Sequence, residues 1–285
     1  MHEESDFPGD GGLRLYTQAW RPAGQPRAVV AMVHGIGEHS GRYTSLVDHL
    51  LQCGYAVCGF DHRGHGKSPG PRGHIDSWSQ YREDVRAFLR HCGSIAAGPV
   101  FLYGHSMGAL VVVDYAMVYP DGLTGLIVSG VPLQPAGVAK RHLIAIARVL
   151  SKVAPAFSIS LGLDVRGISR DIAVLDAYRN DPLVHPRASM RWGSEILATI
   201  DRVRSRLGEI RMPILIVHGE VDPINSVKGS RELYDGVRST DKKLCVYPDT
   251  LHEPHNDLDR ATLAADVAKW ISERSGSMPS VRDTQ

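Results

Sequence analysis

The sequence carries no surplus of charge of either sign. Its 32 lysines and arginines stand against 31 aspartates and glutamates, a formal net charge of +1, so the basic excess that grips a nucleic-acid backbone is missing. No polybasic block is present that would hold an anionic membrane by charge alone. No uninterrupted apolar run reaches the roughly 18 residues needed to span a bilayer. The first residues, Met1-His2-Glu3-Glu4-Ser5-Asp6, are acidic and lack the apolar stretch of a secretory signal. The expectation is a soluble, cytoplasmic protein with no nucleic-acid partner. Cysteine is scarce: Cys53, Cys58, Cys92 and Cys245 form no Cys-x-x-Cys pair and have no histidine at zinc-finger spacing. Reduced, buried thiols are therefore expected, with no metal ion and no cofactor. Internal repeats and low-complexity tracts are missing too.

What is there is an ordinary globular composition, 43% hydrophobic and 22% charged, in a chain long enough for one large domain or one domain carrying an insertion. Short apolar runs recur at Ala28–His34, Tyr55–Phe60, Pro99–Tyr103, Leu123–Ser129, Pro213–His218 and Leu244–Tyr247. Most are nearly continuous, as in strands buried on both faces of a parallel sheet. Amphipathic helical stretches lie between them, at Tyr43–Gln52, Tyr81–His91, Met107–Val118, Ser226–Val237 and Asp257–Arg274. This alternation predicts an α/β fold with a mostly parallel sheet flanked by helices. Leu13–Trp20 alternates and reads as an antiparallel edge strand.

One stretch breaks the rhythm. Between Gly130 and Pro213 lie about eighty residues without a convincing strand, far more than a loop needs. They read as an inserted helical subdomain over 131–190, followed by a helix near Trp192–Leu207 that returns to the sheet. The core is then built from residues 1–130 and 191–285. The first helix of the insertion, about Ala139–Val153, sets Arg141, Arg148 and Lys152 on one face and apolar residues on the rest. Such a helix either packs on its own domain or serves as a lid that lines an acyl channel and rests against a lipid surface.

The strongest chemical signal is Gly104-His105-Ser106-Met107-Gly108, directly after the run Val100-Phe101-Leu102-Tyr103 and opening a helix. Gly-x-Ser-x-Gly in a strand–turn–helix setting holds a serine hydroxyl above a sheet, at a helix N-terminus. A serine needs a base, and the base needs a carboxylate to fix its tautomer. On this architecture they should follow late strands, in the order acid, then histidine. Asp222, after Ile214–Val217, is assigned as the acid and His252, after Leu244–Tyr247, as the base. Glu220 competes with Asp222, His255 competes with His252, and His218 reads as a strand-end histidine. Two amides should receive an oxyanion: that of Met107, and that of Ile36 in the loop His34-Gly35-Ile36-Gly37-Glu38-His39. A second glycine-rich stretch, Asp61–Gly70, contains Gly-Lys-Ser, but its spacing does not fit a phosphate loop. It reads as a tight turn pinned by Asp61 and Arg63.

At these residues the chain resembles the α/β-hydrolase superfamily, and within it the monoacylglycerol lipase and lysophospholipase-like branch. The carriers are His34-Gly35-Ile36-Gly37-Glu38-His39-Ser40-Gly41-Arg42-Tyr43, Asp61–Ser68, Gly104–Gly108, Asp181-Pro182-Leu183, His218-Gly219 with Asp222, and His252-Glu253 with Asn256-Asp257. The resemblance implies an eight-stranded sheet with a helical cap enclosing the acyl chain. It puts the catalytic residues on Ser106, Asp222 and His252 and the oxyanion donors on Ile36 and Met107. It also makes Glu38, Arg42 and His255 candidates for binding a glycerol head group, beside the plainer reading that Glu38 and Arg42 brace their loop. Ala109, where the branch commonly has glycine, and Pro254, beside the base, depart from the pattern without removing a catalytic function.

The function so implied is a serine carboxylester hydrolase that cleaves monoacylglycerols, or similar single-chain esters, through an acyl-enzyme. Its cap would touch a lipid surface peripherally. A general carboxylesterase or a lysophospholipase would use the same residues. An aminopeptidase would need acidic residues near the cap, where Asp171 and Asp176 stand. A non-catalytic ligand-binding protein on this scaffold would more naturally have an incomplete triad.

Overall fold

The computed structural model describes residues 1–135 and 150–275. Strands β1 (His2–Pro8) and β2 (Arg14–Trp20) pair antiparallel at one edge of an eight-stranded sheet. Next come β3 (Val29–Val33) and β4 (Ala56–Phe60), with β4 against β2, and then β5 (Val100–His105), β6 (Gly125–Ser129), β9 (Ile214–Gly219) and β10 (Lys242–Tyr247). From β4 to β10 every pairing is parallel.

Alternation along the strands sends side chains into two cores. In β3, Val29, Ala31 and Val33 pack on the side of α2 (Ser79–Ile95) and α3 (Met107–Val118). Val30 and Met32 pack on the other side, against α1 (Thr44–Gln52) and the last helix, Arg260–Ser272. Burial on both faces explains why these strands read as unbroken apolar runs.

Two expectations are corrected. Leu13–Trp20 is not the edge: β1 lies outside it. The edge strand β1 buries only Phe7 among seven residues. A charged strand of this kind suits a sheet border, where it discourages pairing with other chains, and it leaves no apolar signature. The insertion is also not free of strands. β7 (Ser158–Ser160) and β8 (Arg187–Ser189) pair antiparallel inside it, and three residues each are too few to mark a period. Helix α4 (Ile172–Asn180) lies between them. Most of the expected helix Ala139–Val153, with Arg141 and Arg148, falls outside the described residues. Residues 150–153 are helical, with Lys152 and Val153 exposed.

The return helix is α5 (Met190–Arg206), capped by the Ser189 hydroxyl, which accepts from the Trp192 amide at 3.1 Å. Then follow α6 (Val227–Gly236) and α7 (Arg260–Ser272). Cys58 and Cys92 are buried, Cys53 and Cys245 half-buried, and all four are free thiols. Among the described residues no helix is long and apolar enough to cross a membrane.

Candidate active site

β5 runs through the middle of the sheet and ends one residue before Ser106. Ser106 has φ 53° and ψ −120°, a left-handed strain that a non-glycine residue holds only where its surroundings enforce it. The enforcement comes from close approach. A Cβ on Gly104 would stand 2.5 Å from the Gly108 carbonyl oxygen, and one on Gly108 would strike the carbonyls of Val33 and His34. Strand and helix therefore meet too tightly for any side chain at the two flanking positions. The Ser106 amide is tied to the Ser129 carbonyl at 2.9 Å.

The loops after β9 and β10 bring Asp222 and His252 to this serine. His252 Nε2 lies 3.0 Å from Ser106 Oγ, and its Nδ1 lies 2.7 Å from Asp222 Oδ2. The other carboxylate oxygen, Oδ1, accepts from the amides of Ile224 and Asn225 at 2.8 and 2.9 Å, so the acid cannot rotate freely. The His252 loop is stitched to the insertion: the amides of His252 and Glu253 donate to the carbonyls of Gly167 and Ile168 at 3.1 and 2.8 Å. Buried Asp257 holds the same loop by accepting from the Leu251 amide at 2.8 Å.

The electrostatics follow from this geometry. Burial alone would raise the Asp222 pKa, but the His252 charge and hydrogen bonds from His218 and His252 hold it well below the usual carboxylate range. Burial alone would lower His252, and the Asp222 carboxylate more than offsets this, leaving the imidazole above its ordinary value.

The competing residues do not reach the serine. Glu220 is exposed, and its amide bonds to the Tyr247 carbonyl at 2.9 Å. His255 is buried with its ring stacked on Tyr43, centroids 4.5 Å apart. Burial pushes it down to about 4, and neither ring nitrogen has a partner among the described residues. His218 is a strand-end residue as expected, yet it also does something the sequence did not signal. Its Nε2 lies 2.9 Å from the Asn225 carbonyl and 3.2 Å from Asp222 Oδ2, and its Nδ1 lies 2.7 Å from Ser230 Oγ. Nε2 faces two acceptors, so the proton sits there. Asp222 thus rests between two imidazoles.

A cavity of about 330 Å³ opens above Ser106. Leu161, Leu163, Ile168 and Tyr178 of the insertion form one wall, and Trp192, Ile196, Leu197 and Ile200 of α5 form another. Ile36 and Met107 line its floor beside the serine. Neither of their amides has an acceptor among the described residues, so both are free to bind an anionic oxygen.

The three head-group candidates separate. Glu38 reaches the cavity, but Arg42 and His255 do not line it, which counts against their expected contact with substrate. Glu38 Oε1 accepts from the Gly35 amide at 2.6 Å and from the Tyr43 hydroxyl at 2.8 Å. Arg42 is buried, bonded to Glu253 at 2.7 Å, and stacked over Tyr178 at 4.5 Å. Its guanidinium is enclosed by two carboxylates and a ring, with its donors turned inward. Asp171 and Asp176 are likewise engaged: Asp171 caps α4 and pairs with Arg260, and Asp176 pairs with Arg179.

A serine on a strained strand-to-helix turn, linked through an imidazole to a buried carboxylate, on a mostly parallel sheet with a cap-like insertion near residues 130–190, defines the protein as an α/β-hydrolase of the serine-hydrolase class. The comparison with protein families narrows this. The chain belongs to the Hydrolase_4 family, described as serine aminopeptidase, S33, whose model matches residues 24–259. It is 36% identical over 277 residues to the monoacylglycerol lipase of Mycolicibacterium smegmatis, covering 94% of this chain and 96% of that one. It is 32% identical to the human monoglyceride lipase, with 93% and 89% covered. Among solved structures, the Paleococcus ferrophilus monoacylglycerol lipase superimposes with a TM-score of 0.84 at 32% identity, covering 91% of this chain and 99% of that one. A soluble variant of the Saccharomyces cerevisiae monoglyceride lipase, in complex with a substrate analog, gives 0.85 at 27% identity, with 96% of each chain covered.

Proposed function

We propose that the protein hydrolyses monoacylglycerols, or esters of similar single-chain form, to a fatty acid and an alcohol. Ser106 Oγ attacks the ester carbonyl as His252 Nε2 takes its proton, and Asp222 holds the imidazolium that forms. The amides of Ile36 and Met107 receive the oxyanion. His252 returns the proton to the departing alcohol, and a water activated by the same nitrogen then releases the acid from Ser106.

The observation that carries this reading is the Ser106–His252–Asp222 chain opening into an apolar cavity. At about 330 Å³ the cavity sits at the low end of the roughly 300–1,000 Å³ typical of small-molecule sites. That volume and the apolar lining suit a single acyl chain of moderate length. The similarity to monoacylglycerol and monoglyceride lipases supports the same reading. An aminopeptidase reading is less well supported: the acidic residues at the cavity, Glu38 and Glu253, flank Arg42 and present little net charge to an amine. The insertion also carries exposed apolar side chains, with Val153 at 74%, Phe157 at 59% and Ile172 at 71% exposure. They suit contact with a lipid surface.

The test combines a fluorophosphonate label with a substrate panel of mono-, di- and triacylglycerols, lysophospholipids and aminoacyl amides. The adduct should map to Ser106, monoacyl glycerides should be preferred over triacyl, and Ser106→Ala should lose about 10⁴–10⁶ in turnover while remaining folded. A folded protein that leaves Ser106 unlabelled would sink the mechanism. Preference for amides or for triacyl substrates would sink the substrate assignment.

A further inference from the structure

Five residues of α5 line the cavity, and four of them share helical spacing: Gly193, Ile196, Leu197 and Ile200. Offsets of three, four and seven residues make a single stripe on the helix. Three of the four present branched apolar side chains. The fourth presents nothing. Glycine inside a helix is less stable than alanine there, so its presence calls for a reason.

The two ordinary reasons do not apply. Gly193 is not among the glycines with positive φ, so no left-handed conformation demands it. A Cβ built at Gly193 meets no atom within 4 Å among the described residues, so none of them forbids a side chain there, in contrast to Gly104 and Gly108. Gly93 in α2 is equally unhindered, but it is exposed on the outer surface, where its empty space is solvent. The empty space at Gly193 is the cavity.

Its position along the cavity follows from the residue beside it. Trp192 Nε1 donates to Met107 Sδ at 3.3 Å, which fixes this turn of α5 next to the residue after Ser106. Ile200, seven residues on, lies about 10 Å further along the helix axis at 1.5 Å per residue. An acyl chain running from the carbonyl along this wall passes position 193 first, then 196 and 197, then 200.

We infer that Gly193 is a specificity-determining position: the side chain it lacks leaves a slot in the apolar wall for the acyl chain, and the size of the residue there sets the acyl length the cavity accepts. This rests on the reading of the cavity as an acyl site served by Ser106. A leucine at 193 would displace about two methylenes from the wall, each worth about fourfold in specificity.

The experiment compares the unmodified protein with Gly193→Ala, Gly193→Leu and the surface control Gly93→Leu. Each is assayed for kcat/KM on glyceryl monoesters from butanoyl to hexadecanoyl, and for binding of laurate. The ratio of dodecanoyl to butanoyl kcat/KM should fall a few-fold in Gly193→Ala and roughly tenfold or more in Gly193→Leu, with laurate binding weakened in parallel. Gly93→Leu should keep the ratio of the unmodified protein. An unchanged ratio and unchanged laurate binding in Gly193→Leu would overturn the inference. Should that variant not fold, Gly193→Ala decides. It should melt about 1–3 °C higher because alanine is the better helix former, and its ratio must still fall. If the unmodified protein hydrolyses no ester, the parent reading fails. Laurate binding then judges the slot by itself, and equal affinity in all variants would reject it.

Discussion

The sheet and the insertion bury their apolar residues differently. In the sheet, β3, β4, β6 and β9 have every residue buried, and the two cores close on either side. The insertion keeps a buried seam at Gly167, Ile168 and Ser169, which is bonded to the His252 loop, yet leaves Phe157, Ile159, Leu163 and Ile172 exposed. The core is thus satisfied by its own chain, whereas the insertion has apolar surface to spare on one side and the cavity on the other. On the proposed function, the chemistry belongs to the first region, and the insertion shares substrate selection with α5, which lines the same cavity.

The sharpest way to break that division is to damage the chemistry alone. In Asp222→Asn, the amides of Ile224 and Asn225 would keep the new carbonyl oxygen where Oδ1 now sits. The new NH₂ would then face His252 Nδ1 and force that nitrogen to accept, moving the ring proton to Nε2, the atom that must take a proton from Ser106. Turnover should fall about 10⁴-fold, equally for butanoyl and dodecanoyl esters. The pH profile should move as well. With Asp222 intact, His252 is held above the ordinary histidine value, and activity is lost as pH falls through it. Without the carboxylate that limb shifts to lower pH. A loss that depends on acyl length would show that core and insertion do not divide the work in this way.

A second comparison is thermodynamic. Trp270 in α7 is 1% exposed and packs edge-on against Phe101 with ring centroids 5.7 Å apart. Trp270→Ala should destabilise by about 3–5 kcal/mol in urea denaturation. Ile172→Ala, at a residue 71% exposed, should change stability by no more than about 0.5 kcal/mol. A large loss from Ile172→Ala would mean that the insertion's outer face is covered in solution.

The two regions also differ in how readily the sequence reveals them. The parallel strands were legible because burial on both faces forces continuous apolar runs. Ser106 and Asp222 were legible because each sits in the turn after such a strand, and His252 because it follows the last strand in the expected order after the acid, although β10 is only half-buried. β1 was not, since it buries only Phe7 and its other residues carry no apolar pattern. The burial of Arg42 was not either: its partner Glu253 lies 211 residues away, and no local spacing reports that pairing. The second imidazole on Asp222 was hidden because His218 looks like any strand-end residue until the loop folds back. The main-chain bonds from Gly167 and Ile168 to the His252 loop carry no side-chain signal at all.

Glu38 lies at the seam, and it gives a smaller effect than Trp270 but a more diagnostic one. It shares the Arg42 guanidinium with Glu253, but unequally. Glu253 is bonded to Arg42 at 2.7 Å and to Asn256 at 2.8 Å, whereas Glu38 stands 3.5 Å from Arg42. Glu253 therefore keeps its charge, with a pKa below the ordinary value because Arg42 and its other partners outweigh burial. Burial and the neighbouring Glu253 charge push Glu38 up to about 7. A carboxyl raised in the folded state stabilises the fold fully below its unfolded pKa, and that stability is lost as pH rises through the folded value. Glu38→Gln copies the protonated form and keeps an oxygen for the Gly35 amide and the Tyr43 hydroxyl. Its stability relative to the unmodified protein should improve between about pH 4.5 and pH 8, by at least about 1.4 kcal/mol, the equivalent of one pKa unit. Urea unfolding at several pH values measures this directly. Because Arg42 also stacks on Tyr178 of α4, the same series should show whether the insertion loosens from the core as Glu38 ionises. A pH-independent difference between the two proteins would mean that Glu38 is already charged throughout, and that Arg42 ties core and insertion together with both carboxylates at once.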